Sequence, residues 1–528
     1  MRFQRTVVLG LVLLAFLLLG PVVLLAALGL LAVPRVRAWL RPTWRVVAAW
    51  VAGVVAVTGL VVVIPDGWLP VPPGPGLAVS PSYLGRPARV QPIDMVVPQH
   101  PALAPNGRST MHNDAWSSDA YPGPGPVGDS VEVDSAWFGL EECATLAFDR
   151  HDRLVALCGD LSGPTLRVLD PDSMRPLASK TLPERADTGT RPWEDLCGGS
   201  YFYLDAADRA VLATTDRRVL VVETSDAEGE ADLTTHATHD LTSAVPEDDC
   251  LIALMPDWSG RIWWVTREGR VGTIARDGRI SSLELGEEVA NSMSVDESGI
   301  YLVTTEALHK LAADRRDRPV VRWRTAYDRG SERKPGQLTQ GSGTTPTILP
   351  GGVVAITDNA EPRMNVVFVR AEDGAEICRA AVFDAGASAT ENSLVAVGDG
   401  VVVENNHGYT APWRTLLGRT TPGGFARVDH RDGDCEVVWT SEEVAPSSVA
   451  KASLATGLVY AWTKPQNRWG VNAWYFTALD ARTGRTVFSV RAGLGTLMNN
   501  HYAAITLGPD GSAYIATLGG MVRVRDKA

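Results

Sequence analysis

The run AAITLGPDGSAYIAT (503–517) decides how this chain folds. Apolar and small residues flank the turn formers Gly508-Pro-Asp-Gly511, so it reads as two alternating strands joined by a tight turn. The same phrase occurs seven times upstream, as CATLAFDRHDRLVALC (143–158), SYFYLDAADRAVLAT (200–214), CLIALMPDWSGRIWWVT (250–266), SMSVDESGIYLVT (292–304), TPTILPGGVVAIT (345–357), NSLVAVGDGVVVEN (392–405) and ASLATGLVYAWT (452–463). A spacing of roughly 40–55 residues leaves room for two further strands per unit, the size of a four-stranded propeller blade. The chain is therefore expected to be all-β, an eight-bladed β-propeller. Seven and six blades are the alternatives, because the unit at 195–245 is irregular. The eighth unit ends one strand short at Ala528, whereas SVEVDSAWF (130–138) precedes the first unit without a partner. That strand is expected to complete the last blade and close a ring spanning 129–528, leaving no open edge.

The third and fourth strands recur as TLRVLDPDSMRPLAS (165–179), NVVFVRAEDGAEICRAAVF (365–383), FARVDHRDGDCEVVW (425–439) and YFTALDARTGRTVFSV (475–490). The last, with its turn Ala478-Leu-Asp-Ala-Arg-Thr-Gly484 and Phe488 where Trp is usual, resembles the repeat of the quinoprotein alcohol dehydrogenase-like (PQQ-like repeat) β-propellers. The lead-in MHNDAWSSDAYPGPGPVG (111–128) resembles theirs too, and the likeness covers roughly 400 residues. It implies a fold rather than a reaction. Catalytic members carry two adjacent disulfide-bonded cysteines. No two of the six cysteines here are neighbours, so PQQ is not expected as a cofactor and noncatalytic relatives, such as outer-membrane assembly lipoproteins, fit better.

Ahead of the ring the composition changes. Uncharged runs at 7–33 and 46–64 are each long enough to cross a hydrocarbon layer of about 30 Å, and are read as a transmembrane hairpin occupying 1–64. The connection 34–45 holds four Arg against two at the N-terminus, which favours a cytoplasmic connection and an extracytoplasmic body. Residues 65–128 contain 14 of the 34 prolines and read as an extended stalk. Arg outnumbers Lys 43 to 6, a bias of GC-rich bacterial genomes, so the expected location is a bacterial cytoplasmic membrane with the large domain outside. The net charge of −12 divides unevenly: residues 1–64 hold six Arg and no acid, leaving 43 basic against 61 acidic groups, −18, on the rest. Such a body repels phosphate backbones, which argues against nucleic acid as a partner.

An extracytoplasmic setting favours disulfides. With Asp149–Asp152 as the turn, Phe148 faces Arg153, and counting back places Cys143 opposite Cys158. Cys197 and Cys250 open consecutive inner strands, and Cys378 and Cys435 lie in consecutive outer strands, so both pairs are candidates for bridging.

In a propeller the inner strand begins, and the second strand ends, on one face near the axis. Strand starts supply Glu141, Glu142, Glu194, Asp195, Asp248, Asp249, Asn291, Thr344, Glu391, Asn392, Lys451, Asn499, Asn500 and His501. Strand ends supply Asp160, Glu306, Asp358, Asn359, Glu404, Asn405, Asn406 and Lys464. The predicted ligand-binding face is Asp358, Asn359, Glu391, Asn392, Glu404, Asn405, Asn406, Lys451, Lys464 and Asn500. Within it Glu391, Asn392, Glu404 and Asn405 offer the oxygen-rich set that Ca²⁺ prefers, while Lys451 and Lys464 are expected to neutralise nearby carboxylates. Trp263, Trp264, Tyr409, Trp413, Trp462, Trp469 and Trp474 are read mostly as core between blades. No nucleophile elbow, phosphate loop or His-Glu-x-x-His run is present. The expected function is a membrane-anchored binding or scaffold module for a protein, a cell-envelope glycan or a small polar ligand, more a binder than an enzyme. A Ca²⁺-assisted hydrolase or lactonase working in the central pocket is the alternative, and a PQQ-type dehydrogenase is third.

Overall fold

The computed structural model describes residues 2–40, 44–160, 162–185, 191, 194, 195, 197 and 201–527. Among them eight antiparallel meanders surround one axis, seven of four strands and one of six. The innermost strands, blades one to eight, are Glu142–Phe148, Phe202–Leu204, Leu251–Pro256, Met293–Asp296, Thr347–Leu349, Val395–Val397, Lys451–Ser453 and Ile505–Leu507. Neighbouring innermost strands touch from blade one to blade eight, and the inner strand of blade one meets the two middle strands of blade eight. Leu251–Pro256 is buried throughout, while the outer strand Pro176–Thr181 alternates between half-buried and exposed. The reason is packing: inner strands have a blade on each face, and outer strands meet solvent on one. The irregular second unit is a true blade whose inner strand has only three residues.

Closure comes from the N-terminal side. Val131–Trp137 pairs antiparallel with Gly520–Asp526 as the outer strand of blade eight, Val131 opposite Asp526 and Trp137 opposite Gly520. Between blades, Trp263, Trp264, Trp462 and Trp474 are fully buried. Trp264 lies across Gly272, its cross-strand partner, where a Cβ would sit 2.0 Å from the indole. Trp413 and Trp469, by contrast, are about half exposed, on loops above the strands.

All three cysteine pairs are bridged: Cys143–Cys158, Cys197–Cys250 and Cys378–Cys435. The first forms despite a wrong register in the sequence reading. Phe148 pairs with Leu154, not Arg153, and a bulge between Glu142 and Thr145 restores the cysteines to opposition. An extra residue on one strand shifts every later pair by one.

Residues 65–128 are not a free spacer. Tyr83–Gly85 adds a strand to the outer edge of blade seven, and Ala120–Tyr121 runs parallel to its inner strand. Between these, residues 103–121 cross the axis and plug one end of the channel. Carbonyls of Arg108, Ser109, Ala115, Trp116, Ser118 and Asp119 accept the backbone N–H groups of Phe148, Leu204, Val295, Ile348, Ala396 and Ala452, on blades one, two, four, five, six and seven. An innermost strand has one unpaired edge, and its buried N–H groups need acceptors. Proline donates no N–H but leaves the carbonyls free, so a proline-rich composition suits this packed role as well as it suits a spacer.

The N-terminal residues form helices α1 (Arg2–Leu19), α2 (Val22–Leu31), α3 (Pro34–Leu40) and α4 (Trp44–Val63). The 7–33 run is therefore not one helix. It breaks at Gly20, held at φ +88°, and Pro21, which lacks an N–H for the ladder. The Leu17 and Leu18 carbonyls at this break accept N–H groups of Gly76, Leu77 and Ala78. Among the described residues no single helix is long and apolar enough to cross a membrane, and only the bent pair α2 and α3, at 99°, meets that measure together.

Candidate functional site

The channel between plug and opposite face encloses a cavity of about 230 Å³. His112 and Met111 of the plug form its floor, and Glu142, Tyr201, Asn291, Glu391, Asn392 and Tyr502 line its walls. A second hollow of about 250 Å³ shares Glu194, Leu338, His501 and Tyr502 with it and forms its mouth. The long connection between blades four and five closes over this mouth. Gly408 N–H donates to the Pro335 carbonyl, the Tyr502 hydroxyl donates to the Gly336 carbonyl at 2.9 Å, and Asn359 Nδ2 donates to the carbonyls of Arg329 and Glu332.

Beneath the floor lies a charged knot. Asp119, wholly buried, receives Lys451 Nζ and His112 Nδ1 (3.0 Å) on Oδ1 and the Ser393 hydroxyl on Oδ2. Lys451 Nζ also donates to the Met111 carbonyl at 2.7 Å. Burial alone would raise Asp119, but Lys451 and His112 outweigh it and hold the carboxyl below its ordinary range. Burial lowers Lys451. Ser393, His112 and Asp119 have the composition of a nucleophilic triad but not its geometry. The serine Oγ lies 3.2 Å from the same Nδ1 that faces the aspartate, and its proton goes to the aspartate. A general base needs the serine on the opposite ring nitrogen. With Nδ1 turned to Asp119, the other ring nitrogen, Nε2, has no partner among the described residues.

The cavity walls are acidic and sparsely bonded. Burial pushes the Glu391 carboxyl up to about 8, against smaller pulls from the Leu338 backbone and Arg333. Burial holds Glu142 and Glu404 well above the usual carboxylate range. Glu404 accepts Asn392 Nδ2 at 3.2 Å and Asn406 Nδ2 at 2.8 Å on one oxygen.

Of the predicted face, only Glu391 and Asn392 line the cavity. Lys451 meets a carboxylate as expected, but beneath the floor. Among the described residues Lys464 meets none: its buried ammonium donates to the Arg419 carbonyl, and desolvation lowers it to about 8. Asp358 staples a turn, accepting Asn365 N–H at 2.6 Å and Asn365 Nδ2 at 2.7 Å. Asn406 Oδ1 accepts Glu391 N–H at 3.0 Å, and Asn500 bonds Ser447 and the Ala503 carbonyl. Asn405 Oδ1 accepts the backbone N–H groups of Ala389 and His407, and its Nδ2 donates to the Ala387 and Gly423 carbonyls. It therefore stands outside the proposed Ca²⁺ set. Among the described residues no group of three or more His, Cys, Asp or Glu is placed to hold a metal. Strand ends at the axis are crowded, and Asp and Asn there serve the loop backbone first. His112, Asp119 and Ser393 escaped the sequence reading. The available signal was Lys451 itself, a lysine inside an inner strand that requires a buried acid.

No known family model matches the sequence. An uncharacterized protein of Archaeoglobus fulgidus is 28% identical over 274 residues, 46% of this chain and 53% of that protein. The chain thus spans about half the length of the curated relative it matches. Similar solved structures include a europium-containing methanol dehydrogenase (11% identity, 78% of this chain and 89% of that one, TM-score 0.48). They also include the WD40 domain of SCAP from fission yeast (11%, 75% and 98%, 0.44) and BamB from Moraxella catarrhalis (13%, 60% and 93%, 0.37).

Proposed function

We propose that this protein is a membrane-anchored, extracytoplasmic β-propeller of the quinoprotein-like kind, a noncatalytic binding module whose central chamber receives a small polar ligand. The observation that carries the reading is the chamber itself: about 230 Å³, floored by the plug and sharing four lining residues with the hollow above it, with polar side chains from several blades in its lining. Enclosed cavities with a few convergent polar groups are the usual form of a small-molecule site. Three disulfides support an oxidising compartment.

The anchor is supported by apolar side chains left open to the surroundings on α1, α2 and α4, among them Leu11, Leu25, Leu28, Trp50 and Val55. Their Arg-bearing connection at 34–45 is assigned to the cytoplasm. Exposed Trp413, Leu417 and Trp469 lie on the loops beside the helix break, where Gly470 approaches Pro21, and Trp suits the interface between water and lipid. Two measurements test the reading. Protease added to spheroplasts should digest the propeller, and a thermal-shift screen of the detergent-solubilised full chain against small polar compounds should find a stabilising one. A propeller protected in spheroplasts, or a screen in which no compound shifts the transition, refutes the corresponding half.

A further inference from the structure

The chamber's unsatisfied atoms state what kind of ligand they lack. Among the described residues five buried polar atoms of its lining make no well-formed protein hydrogen bond: His112 Nε2, Glu142 Oε1, both carboxylate oxygens of Glu391, which the Leu338 backbone only approaches, and Asn392 Oδ1. His112, Glu391 and Asn392 are each more than nine-tenths buried. The four oxygens accept hydrogen bonds when the acids are ionised, and Nε2 of His112 accepts one in the tautomer that gives Nδ1–H to Asp119. Asn392 has spent its amino group on Glu404 and the Ser448 carbonyl, which fixes its free end as the oxygen. Carboxylates donate nothing. Among the described residues no buried donor of this lining is left unpartnered to balance them.

The charge is equally one-sided. Among the described residues four acids line the cavity; Asp195 pairs with Arg185 at 2.8 Å and Glu194 with Arg191 at 3.7 Å, which leaves Glu142 and Glu391 without an ion pair. Buried acceptors without donors, and buried acids without counter-charge, each carry a free-energy cost that a cationic N–H donor removes.

Resting on the binding role proposed above, we infer that the ligand of this chamber is a small organic cation, an alkylammonium or guanidinium bearing several N–H donors, held by Glu391 and Glu142 with His112 Nε2 and Asn392 Oδ1 as further acceptors. At about 230 Å³ the cavity exceeds the roughly 150 Å³ that holds a benzene ring, a size that fits a short diamine or a guanidino compound. The upward displacement of Glu391 by burial agrees with this, because an ammonium beside it supplies the missing partner charge.

The test is isothermal titration calorimetry on the detergent-solubilised full chain. The probes are 1,4-diaminobutane and guanidinium chloride, set against the isosteric diol 1,4-butanediol, the diacid succinate, and CaCl₂. One or both cations should bind saturably, diol and succinate should not, and CaCl₂ should not displace them. Glu391→Gln should weaken the cation at least tenfold while melting no lower than wild type. Glu443→Gln, at a surface carboxylate that accepts the Thr486 hydroxyl, should change nothing. Equal binding of the diol overturns the inference but leaves the chamber as a binding site. Competition by Ca²⁺ assigns the acids to a metal and also overturns it, and so does equal weakening by both variants, which means diffuse surface charge. If none of the five probes binds, the inference falls. If the thermal-shift screen is also blank, the binding role falls with it.

Discussion

Replacing Lys451 with Met tests the knot beneath the chamber floor. Lys451 and Asp119 are both wholly removed from solvent, and the substitution keeps the length of the side chain while deleting its charge and its bonds to Asp119 and the Met111 carbonyl. Removing one partner of a buried ion pair costs about 3–5 kcal/mol. With an unfolding entropy of about 2.1 cal/mol/K per residue, a ring of roughly 400 residues loses about 4–6 °C of melting temperature for that change. The double variant Asp119→Asn, Lys451→Met should recover part of the loss, because it leaves no orphaned charge. The penalty also has a pH signature. Asp119 is held below its ordinary value near 3.8, so its favourable contribution is complete at neutral pH and is lost as pH falls through the lower folded value. The gap between wild type and Lys451→Met should therefore narrow in acid. Differential scanning calorimetry at pH 7 and in steps from pH 4 downward reads both effects. A single variant that melts within 1 °C of wild type, or a double variant no more stable than the single, would show that the knot is not an ion pair.

Glu391→Gln should stabilise the unliganded protein at alkaline pH. The folded carboxyl titrates near 8 and the unfolded one near 4.5, so the folded state holds the extra proton and wild-type stability falls as pH rises between those values. The variant should gain on wild type by a few kcal/mol at most, read as a difference in melting temperature that grows from pH 5 to pH 8; a constant difference refutes it. Gly272→Ala places a methyl against Trp264 and should cost about 1–3 kcal/mol, seen as a lower denaturant midpoint; an unchanged midpoint means the indole shifts freely. Removing Cys143 and Cys158 opens a crosslink spanning 15 residues, worth about 3 kcal/mol in the chain-entropy account, and the paired Cys→Ala variant should show it in urea. Ser135→Pro, in the closing strand opposite Val522, should expose the Gly520–Asp526 edge and promote association, detectable by light scattering; a monodisperse variant would mean closure does not depend on that strand.

The blades were legible because each repeats its own punctuation: Asp and Gly turns between apolar runs mark a hairpin whatever lies beyond it. The closing strand was legible by arithmetic, one strand missing at the end and one spare at the start. Cys143 and Cys158 were paired correctly although the loop and the bulge each displaced the register, the two offsets cancelling. The plug was not legible. Composition tells that residues 103–121 avoid helix and sheet, but not that their carbonyls meet the N–H groups of strands up to several hundred residues later. The knot was hidden for the same reason, since Asp119 and Lys451 are 332 positions apart. Strand-start counting brought Glu142, Asn291, Glu391 and Asn392 to one face. It could not tell which polar ends look into the channel and which, like those of Asp358 and Asn405, are consumed by their own turns.

The order of contacts along the plug has a bearing on how the ring is made. Arg108, Ser109, Ala115, Trp116, Ser118 and Asp119 meet blades one, two, four, five, six and seven, in the sequence in which a chain emerging N-terminus first would deliver them. The segment exists before any blade does. Each hairpin of these blades therefore finds the acceptor for its inner edge in a segment that precedes it in the chain. Only the final joint cannot be made early, because Val131–Trp137 has no partner until Gly520–Asp526 arrives. The ring is thus joined along two seams of different reach, a plug whose partners follow it in order and one clasp between the first and last strands of the ring.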